Sequence, residues 1–450
     1  MTESSETCNP QARLAEYASK LHYDALPADV GDEAKYRVLD WLGSAMAGVR
    51  ENPSRVITDL VKKAGGAPQS TVVRGGVKVP VAQAALANGT IGHAAEFDDG
   101  HTLAMTHPGA VAVPACLAVA EYAGASGKDL LAGVVAGFEV MIRLGMVVNP
   151  SHYKVWHTTG TCGVFASAAA AGRVLKLDGE RIRTALGISG TMAAGLQQTF
   201  GTHAKPLNAG HACQSGILAA LLAQGGFGGP EDILTGRKGF IRATSSETDT
   251  AALTERLGDE FSILTAGYKT YASCGHTFAP LNALFLLMEK HDPDAQEIES
   301  IDVVTYHVSV DLTGKFKNEN AEQAKFSLPY CLAAALLCGK VALAEFSSES
   351  LQNPRIARLA AKVNVREDEE MTARFPRDRM ATVVIRLKNG RTLEESVVKP
   401  QGIPARSMLE KKFLSLARME VDPYKAEEIL GIVLRLQEFA GIDSLMKMLL

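Results

Sequence analysis

Four short segments of this chain carry the histidine, lysine and carboxylate side chains that could move a proton or bind an anion. The first segment holds six of them: His93, Glu96, Asp98, Asp99, His101 and His107. Histidine changes charge near neutral pH and suits general acid–base work, whereas histidine and aspartate together can also bind a metal ion. The spacing fits no standard metal motif. Three interpretations therefore stay open: a proton-transfer or anion-binding loop, a metal site, or a helix-ending turn with solvated acids.

The second and third segments each place a histidine before an apolar, alanine-rich stretch. His157 precedes two threonines and a glycine, and a helix that begins there would offer free backbone N–H groups to an anion. His203 and Lys205 precede the other stretch, and a lysine in apolar surroundings indicates an anionic partner or a lowered pKa. The alternatives are a capped or core histidine and an ordinary surface lysine.

The fourth segment contains Lys269, Cys274 and His276 and lies where the character of the chain changes. Pockets commonly form at such boundaries between domains. Activation of Cys274 as a nucleophile by His276 is a weaker alternative, because two residues of separation on an unknown backbone fix no geometry. The sequence has no phosphate loop, no GxSxG elbow and no Rossmann fingerprint, which argues against a nicotinamide or flavin enzyme.

Helices must position most of these residues, because apolar positions recur at helical spacing through residues 1–266. Small residues dominate this region and would let neighbouring helices approach closely. The clearest helical segments that the pattern predicts are Val81–Ala95, Gly109–Tyr122, Leu130–Val147 and Cys162–Leu175.

The pattern changes beyond Gly267. Ile301–Val310 is β-branched and roughly alternating, which predicts a strand. Two further alternating runs are joined through Asn389-Gly390, a dipeptide that favours a type I′ hairpin turn. Helical spacing returns from Pro404. The sequence therefore predicts a mainly α protein with an α+β part: a large all-helical domain formed by residues 1–266 and 403–450, and a smaller inserted α+β domain formed by residues 267–402.

The composition excludes several classes of partner. The formal net charge is −4 and the pI about 6.3, which gives no indication of nucleic-acid binding. The seven cysteines are odd in number and form no CxxC pair, as expected of free thiols in a reducing compartment. The first residues lack the pattern of a signal peptide, and Glu139 and Arg143 interrupt the longest apolar stretch. We expect a cytoplasmic protein without a membrane span.

In order and spacing, six motifs resemble those of the MmgE/PrpD family, whose members dehydrate 2-methylcitrate, decarboxylate cis-aconitate or epimerise iminodisuccinate. They are spread over most of the chain: ANGTIGHAAEFDDGH and THPGA between Ala87 and Ala110, WHTTGT at Trp156–Thr161, KPLNAGHACQSG at Lys205–Gly216, GGFGGPEDILTGRKGF at Gly225–Phe240, YKTYASCGHT at Tyr268–Thr277 and FSLPY at Phe326–Tyr330. The resemblance implies a homodimer that needs no metal and no organic cofactor. It also implies that each subunit has a large helical domain and a smaller lid domain, here residues 267–402.

The resemblance and the residue types together give a set of predicted site residues. The predicted catalytic residues are His107, His157, Lys205, Lys269 and Asp98. The predicted substrate-binding residues are Glu96, Asp99, His101, His203, Cys274 and Tyr330. An α-proton beside a carboxylate is weakly acidic, so its removal needs a base and nearby cations that stabilise the developing negative charge. We predict His107 or His157 as the base and the two lysines as the cations, acting on a small di- or tricarboxylic acid.

The sequence departs from the usual family pattern in three places. Glu96 stands where the family's acidic run commonly begins with aspartate, and Gly100 stands where threonine is frequent. In the segment after Lys269, the family commonly has a second cysteine and an arginine, or, in the decarboxylase, a histidine. This sequence has Ser273, Cys274 and Gly275 at those places. We therefore predict a hydro-lyase of the 2-methylcitrate dehydratase type. The alternatives are an epimerase of a substituted succinate, a carboxy-lyase of the cis-aconitate type, and a protein that only binds a carboxylate.

Overall fold

The computed structural model describes residues 9–314, 318–398 and 404–450. These residues form two compact units, which are described separately. The helical unit contains residues 9–199, 203–268 and 404–450, and the mixed unit contains residues 200–202 and the described residues of 269–398. The predicted fold class, mainly α with a smaller α+β part, is confirmed. The predicted domain boundaries at 266/267 and 402/403 stay predictions, and the second lies outside the described residues.

Ten helices and a two-stranded antiparallel ribbon form the first part of the helical unit, within the ranges described. The helices are α1 (Pro10–Lys20), α2 (Ala28–Gly48), α3 (Asn52–Ala64), α4 (Val81–Ala94), α5 (Gly109–Ala123), α6 (Gly127–Val148), α7 (Thr158–Val174), α8 (Gly179–Ser189), α9 (Ala204–Gln224) and α10 (Phe240–Thr244). The strands are β1 (Ser70–Val72) and β2 (Val77–Val79). The ribbon corrects the prediction of an all-helical domain. Three-residue strands are too short to show an alternating pattern.

The four helices predicted from apolar spacing agree with α4 to α7, with ends that differ by a few residues. Local capping explains where several helices begin. The Asn9 side chain accepts the Ala12 N–H at 3.2 Å before Pro10 opens α1, and the Ser126 hydroxyl accepts the Asp129 N–H at 3.1 Å at the start of α6. Such caps satisfy N–H groups that have no partner within the helix.

Helices α4, α5, α6, α7 and α9 are buried over most of their lengths and make up the centre of the unit. Glycines permit their close approach. A Cβ added at Gly89 of α4 would lie 2.9 Å from the Gly210 Cα of α9, and one at Gly163 of α7 would lie 3.1 Å from the Ala212 Cβ. Close backbone contact therefore fixes the positions of the helices that carry the site.

Helix α6 is long and apolar enough to cross a membrane, judged by length and composition alone. However, 94% of its most apolar window is buried inside the protein, as in the core helix of a globular unit. Arg143 pairs with Glu139 at 2.8 Å and also donates to the carbonyls of Ala252 and Glu255. These contacts satisfy the two charges that interrupt the apolar stretch.

The mixed unit contains a four-stranded sheet in the order β4-β3-β5-β6. Its elements are α11 (Phe278–His291), β3 (Ile298–Thr305), α12 (His307–Thr313), α13 (Ala321–Ala324), α14 (Leu328–Cys338), α15 (Ser348–Leu351), α16 (Pro354–Ala360), β4 (Val363–Glu367), α17 (Glu369–Arg374), β5 (Ala381–Leu387) and β6 (Thr392–Val397). Strand β3 runs parallel to β4 and antiparallel to β5. The chain returns to the helical unit with α18 (Arg406–Ala417), α19 (Pro423–Leu434) and α20 (Asp443–Leu449).

Two local predictions in the mixed unit need correction. The predicted strand Ile301–Val310 ends at Thr305, because residues 307–313 form a helix whose Ser309 hydroxyl donates to the His276 carbonyl at 2.8 Å. Tertiary contacts outweigh β-propensity there. The predicted hairpin β5–β6 is present. Its turn is not type I′, because only Gly390 of the dipeptide has a positive φ (82°), and Leu387 and Arg391 close a three-residue loop.

Candidate active site

The helical unit brings three predicted site residues together around His93, a candidate of the first segment that was given no predicted role. His93, in the last turn of α4, lies with its Nδ1 2.8 Å from Asp98 Oδ2. The same Asp98 oxygen lies 3.3 Å from His107 Nδ1. The His93 ring centroid is 4.9 Å from that of His107 and 5.7 Å from that of His157, with which it stacks. One carboxylate and three imidazoles, hereafter the histidine cluster, therefore share a small volume.

The hydrogen bonds of His107 indicate which of its nitrogens is basic. Its Nδ1 lies 2.6 Å from the backbone carbonyl oxygen of Asp99. A carbonyl only accepts, so Nδ1 carries the proton, and Nε2 of the neutral ring holds the lone pair. The backbone N–H of His107 donates to Thr159 Oγ1 at 3.1 Å, which ties this loop to α7. The side chain is 20% exposed, whereas that of His93 is fully buried.

Both carboxylate oxygens of Asp99 contact groups of the protein itself. Its Oδ1 accepts the N–H of Gly109 at the start of α5 at 2.9 Å, and its Oδ2 lies 3.4 Å from Arg37 Nη1. Burial raises the pKa of Asp99 to about 7, although the Arg37 guanidinium opposes that rise. The hydrogen bonds give Asp99 a structural role, and its predicted contact with substrate gains no support from them.

Arg37 of α2 organises the back of the site and was missed by the sequence analysis. The buried guanidinium pairs with Glu33 at 2.7 Å and with Asp99, and it donates to the carbonyl of Gly267 at 3.1 Å. It also lies 3.8 Å from the centre of the Tyr268 ring. An arginine four residues after a glutamate on a helix usually indicates a surface pair, so no local signal identified Arg37.

Glu96 and Lys205 form a buried ion pair beside the histidine cluster. Lys205 Nζ contacts Glu96 Oε1, and both side chains are almost inaccessible to solvent. Glu96 has a φ of 58°, in the left-handed region that non-glycine residues rarely adopt. Lys205 lies in the first turn of α9. The pair keeps the cation close to His157, and the proximity of Lys205 is one cause that lowers the pKa of that histidine.

His157 lies immediately before α7 and is buried. Its backbone N–H donates to the carbonyl of Gly195 at 3.0 Å. Its Nδ1 lies 3.1 Å from Nδ2 of Asn208, a residue of α9 that was not predicted. Burial, followed by the charge of Lys205, lowers the pKa of His157 well below the ordinary histidine value. The ring is therefore neutral near pH 7.

Two other predicted histidines, His101 and His203, differ in their burial. The N–H of Ala104 donates to His101 Nδ1 at 3.0 Å, and His101 Nε2 lies 3.0 Å from the Thr265 hydroxyl. Both ring nitrogens of His101 thus take part in bonds that fix the loop, and these bonds lend no support to a substrate contact. His203 is exposed at the N-terminal cap of α9.

Three predicted residues belong to the mixed unit. Lys269 and Cys274 are both buried there. The Tyr330 hydroxyl donates to the backbone carbonyl of Glu345 at 2.6 Å, and burial raises the pKa of the phenol. His276, the proposed partner of Cys274, has its Nδ1 2.8 Å from the Tyr306 hydroxyl. The roles of Lys269, Cys274 and Tyr330 stay predictions.

The metal interpretation can be tested against the geometry. One ligand atom each from His93, Asp98 and His107 lies within 4.8 Å of the others, and this donor set suits a transition metal. However, His107 Nδ1 already donates its proton to the Asp99 carbonyl. Binding of a metal through that nitrogen would require loss of this proton and of the hydrogen bond. The geometry fits the proton-transfer interpretation without such a rearrangement.

Comparison with known proteins covers nearly the whole chain. Residues 12–252 match the MmgE/PrpD N-terminal domain, and residues 271–438 match the MmgE/PrpD C-terminal domain. A cis-aconitate decarboxylase of Aspergillus terreus is 28% identical over an alignment that covers 100% of this chain and 98% of the relative. The cis-aconitate decarboxylase of Mus musculus is 27% identical (80% and 76% covered), and that of Homo sapiens is 25% identical (92% and 89% covered).

Proposed function

The chain belongs to the MmgE/PrpD family, and we propose that it is a lyase acting beside a carboxylate of a small di- or tricarboxylic acid. Loss of CO₂ from an acid like cis-aconitate is the reaction we favour. The support comes from relatives with that activity, whose alignments extend over most or all of this chain. This choice differs from the hydro-lyase predicted from sequence, which becomes the second candidate.

The observation that carries the proposal is the shared carboxylate of the histidine cluster. Asp98 lies 3.3 Å from His107 Nδ1, and a nearby negative charge favours the protonated form of an imidazole. The His107 side chain is partly exposed, so it can recover a proton from solvent after giving one up. These are the properties required of a group that delivers a proton to carbon.

Decarboxylation of such an acid consumes one proton for each CO₂ released. The C–C bond to the departing carboxylate breaks, and the electron pair of that bond forms a new C=C bond. The electron pair of the original C=C bond takes up a proton at the carbon farther from the departing carboxylate. His107 Nε2–H supplies that proton in its imidazolium form. Negative charge accumulates on the remaining carboxylate as this happens, and the Lys205 cation suits its stabilisation. Glu96 shares that cation and would compete with the substrate for it.

Dehydration is the second candidate, and the position of the proton on the neutral His107 ring favours it. Its Nε2 then holds a lone pair, because Nδ1 donates to the Asp99 carbonyl. Such a nitrogen can remove an α-proton, and the imidazolium formed in this way can give that proton to the β-hydroxyl, which leaves as water while the C=C bond forms. The residues Ser273, Cys274 and Gly275, which stand where the decarboxylase has a histidine, also favour this alternative.

As the family resemblance implies, we propose a homodimer that works without a metal or organic cofactor.

Proton NMR in D₂O would test the proposal. The EDTA-treated protein is incubated separately with cis-aconitate, citrate, 2-methylcitrate, malate, tartrate and iminodisuccinate. We expect cis-aconitate to yield CO₂ and a product that carries one deuterium at the protonated carbon. A new vinyl signal from 2-methylcitrate would instead establish the hydro-lyase, and deuterium exchange without net consumption would establish an epimerase. A folded protein that is thermally stabilised by these acids but changes none of them would be a binding protein.

A further inference from the structure

A chain of hydrogen bonds determines the orientation of the Asn208 amide. The Thr199 hydroxyl donates its single proton to the Leu196 carbonyl at 2.7 Å. Its oxygen can therefore only accept from Asn208, whose Nδ2 lies 3.1 Å away. The atom of Asn208 that faces Thr199 must be the amide nitrogen rather than the oxygen.

The same nitrogen fixes the tautomer of His157. Asn208 Nδ2 carries two protons, and the second points to His157 Nδ1 at 3.1 Å. Because Nδ1 accepts this bond, the proton of the neutral ring resides on Nε2. His157 is therefore opposite in tautomer to His107, in which Nδ1 carries the proton.

Packing holds Asn208 in place. Asn208 lies one turn after Lys205 on α9, so the two side chains share a helix face. Two glycines make room for it. A Cβ at Gly160 would lie 3.1 Å from the Asn208 Cβ, and a Cβ at Gly195, where φ is 134°, would lie 3.3 Å from its Cγ. The amide is thus confined between α7 and the loop that accepts the His157 N–H.

We propose that His157 is a neutral hydrogen-bond donor that acts through Nε2–H on the negative charge developing on the substrate carboxylate, and that Asn208 is the positioning residue that enforces this state. This inference rests on the proposed function and deepens it. It replaces the prediction that His157 could be the base, because Nδ1 is occupied and Nε2 is protonated. A neutral imidazole is too weak an acid to release that proton but donates a strong hydrogen bond, a pattern known from other enzymes.

The electrostatic surroundings favour the neutral donor. The groups with the largest effects on His157, after burial, are Lys205, His93, His107 and Glu96, and of these four Glu96 favours the imidazolium. Burial acts in the same direction as Lys205 and the two histidines. A donor that remains neutral adds no charge of its own to be desolvated and loses no proton during turnover.

NMR of protein labelled with ¹⁵N-histidine would test the tautomer independently of turnover. We expect His157 to show a protonated Nε2 and an unprotonated Nδ1, unchanged between about pH 6 and 8. In Asn208→Asp the carboxylate can only accept, so Nδ1 should become protonated. His152 is an internal control, because its Nδ1 donates to the Thr244 carbonyl at 3.0 Å and should be unaffected. A protonated Nδ1 on His157 in the wild-type protein would overturn the inference.

Turnover of two variants would separate hydrogen-bond donation from proton transfer. His157→Gln keeps a side-chain N–H but cannot exchange a proton in the accessible pH range, whereas His157→Ala removes both. We expect His157→Ala to lower kcat by about 10²–10³-fold and His157→Gln to recover at least about tenfold of that loss. Equal loss in both variants would contradict donation. If the wild-type enzyme converts none of the acids, the proposed function fails, but the NMR measurement still decides the tautomer.

Discussion

Replacement of Arg37 by methionine is expected to destabilise the helical unit by about 3–5 kcal/mol, the usual effect of removing one partner of a buried ion pair. Methionine can occupy the apolar part of the space but cannot pair with Asp99 or donate to the Gly267 carbonyl, as Arg37 does. Glu33 keeps two partners, the Tyr268 hydroxyl at 2.7 Å and Arg406 at 2.6 Å. Most of the loss therefore falls on Asp99 and on the backbone carbonyls that the guanidinium binds.

The expected loss depends on pH, and Asp99 sets the sign. Its pKa in the folded protein is about 7, above the ordinary aspartate value of about 3.9. Removal of the Arg37 cation raises this pKa further, so the folded variant binds more protons than the unfolded chain over this range. Stability then falls as pH rises. We expect the destabilisation to be larger at pH 8 than at pH 6 by up to about 1.4 kcal/mol, because only the pH unit between the wild-type pKa and pH 8 contributes.

Urea unfolding followed by tryptophan fluorescence would measure both effects, because the two tryptophans, Trp41 and Trp156, lie in the helical unit. Arg50→Met is the matched control. Arg50 also pairs with a glutamate, Glu420, but its side chain is 61% exposed, so its loss should change the free energy of unfolding by no more than about 1 kcal/mol. A loss at Arg37 as small as that at Arg50 would refute the structural reasoning. An equal loss at pH 6 and 8 would refute the role given to Asp99.

Three further predictions concern the site and its surroundings. His107→Ala should lower kcat by about 10²–10⁴-fold in a steady-state assay with the acid identified by NMR, and it should destabilise the protein in urea less than Arg37→Met does, because the His107 side chain is 20% exposed whereas that of Arg37 is fully buried. Lys205→Met should destabilise the protein by leaving Glu96 charged and buried; the double variant Lys205→Met/Glu96→Gln should regain stability in urea but not turnover. Burial lowers the pKa of His152 to about 4. Its unfolded form therefore binds more protons below about pH 6.5, and up to about 3 kcal/mol of stability should be lost as pH falls from 6.5 to 4, a dependence that should be weaker in His152→Gln.

Much of the architecture was predictable because helical spacing is a local signal. The predicted helices at residues 81–95 and 109–122 agree with α4 and α5 to within one residue, since one strongly apolar run defines each. The β3–β4 pairing was not predicted. Strand β4 lies about 60 residues beyond β3, at Ile301↔Val363, and its alternating pattern is limited to Val363 and Val365.

The site was predictable as a set of residue types but not as an arrangement. His107 and Asp98 were identified because their segment concentrates titratable side chains, and His157 because it precedes two threonines and a glycine at a predicted helix start. All three also lie in motifs that resemble those of the family. Arg37 was not, because its partners Asp99 and Gly267 lie 62 and 230 residues away along the chain. Asn208 and the tautomers of His107 and His157 depend on hydrogen bonds that only the folded structure shows.

The close approach of α4, α7 and α9 has a consequence for how variants of this protein would score in a mutational scan. Gly89, Gly160 and Gly163 leave no room for a methyl group without moving a neighbouring backbone or side chain. Substitution at any of them would shift the helices that carry His93, His157 and Lys205. In a selection for activity these glycines would be as intolerant as the histidines, although none has a side chain that could move a proton. A parallel selection for abundance would separate the two groups, because histidine substitutions that leave the packing intact should lose activity while abundance is retained.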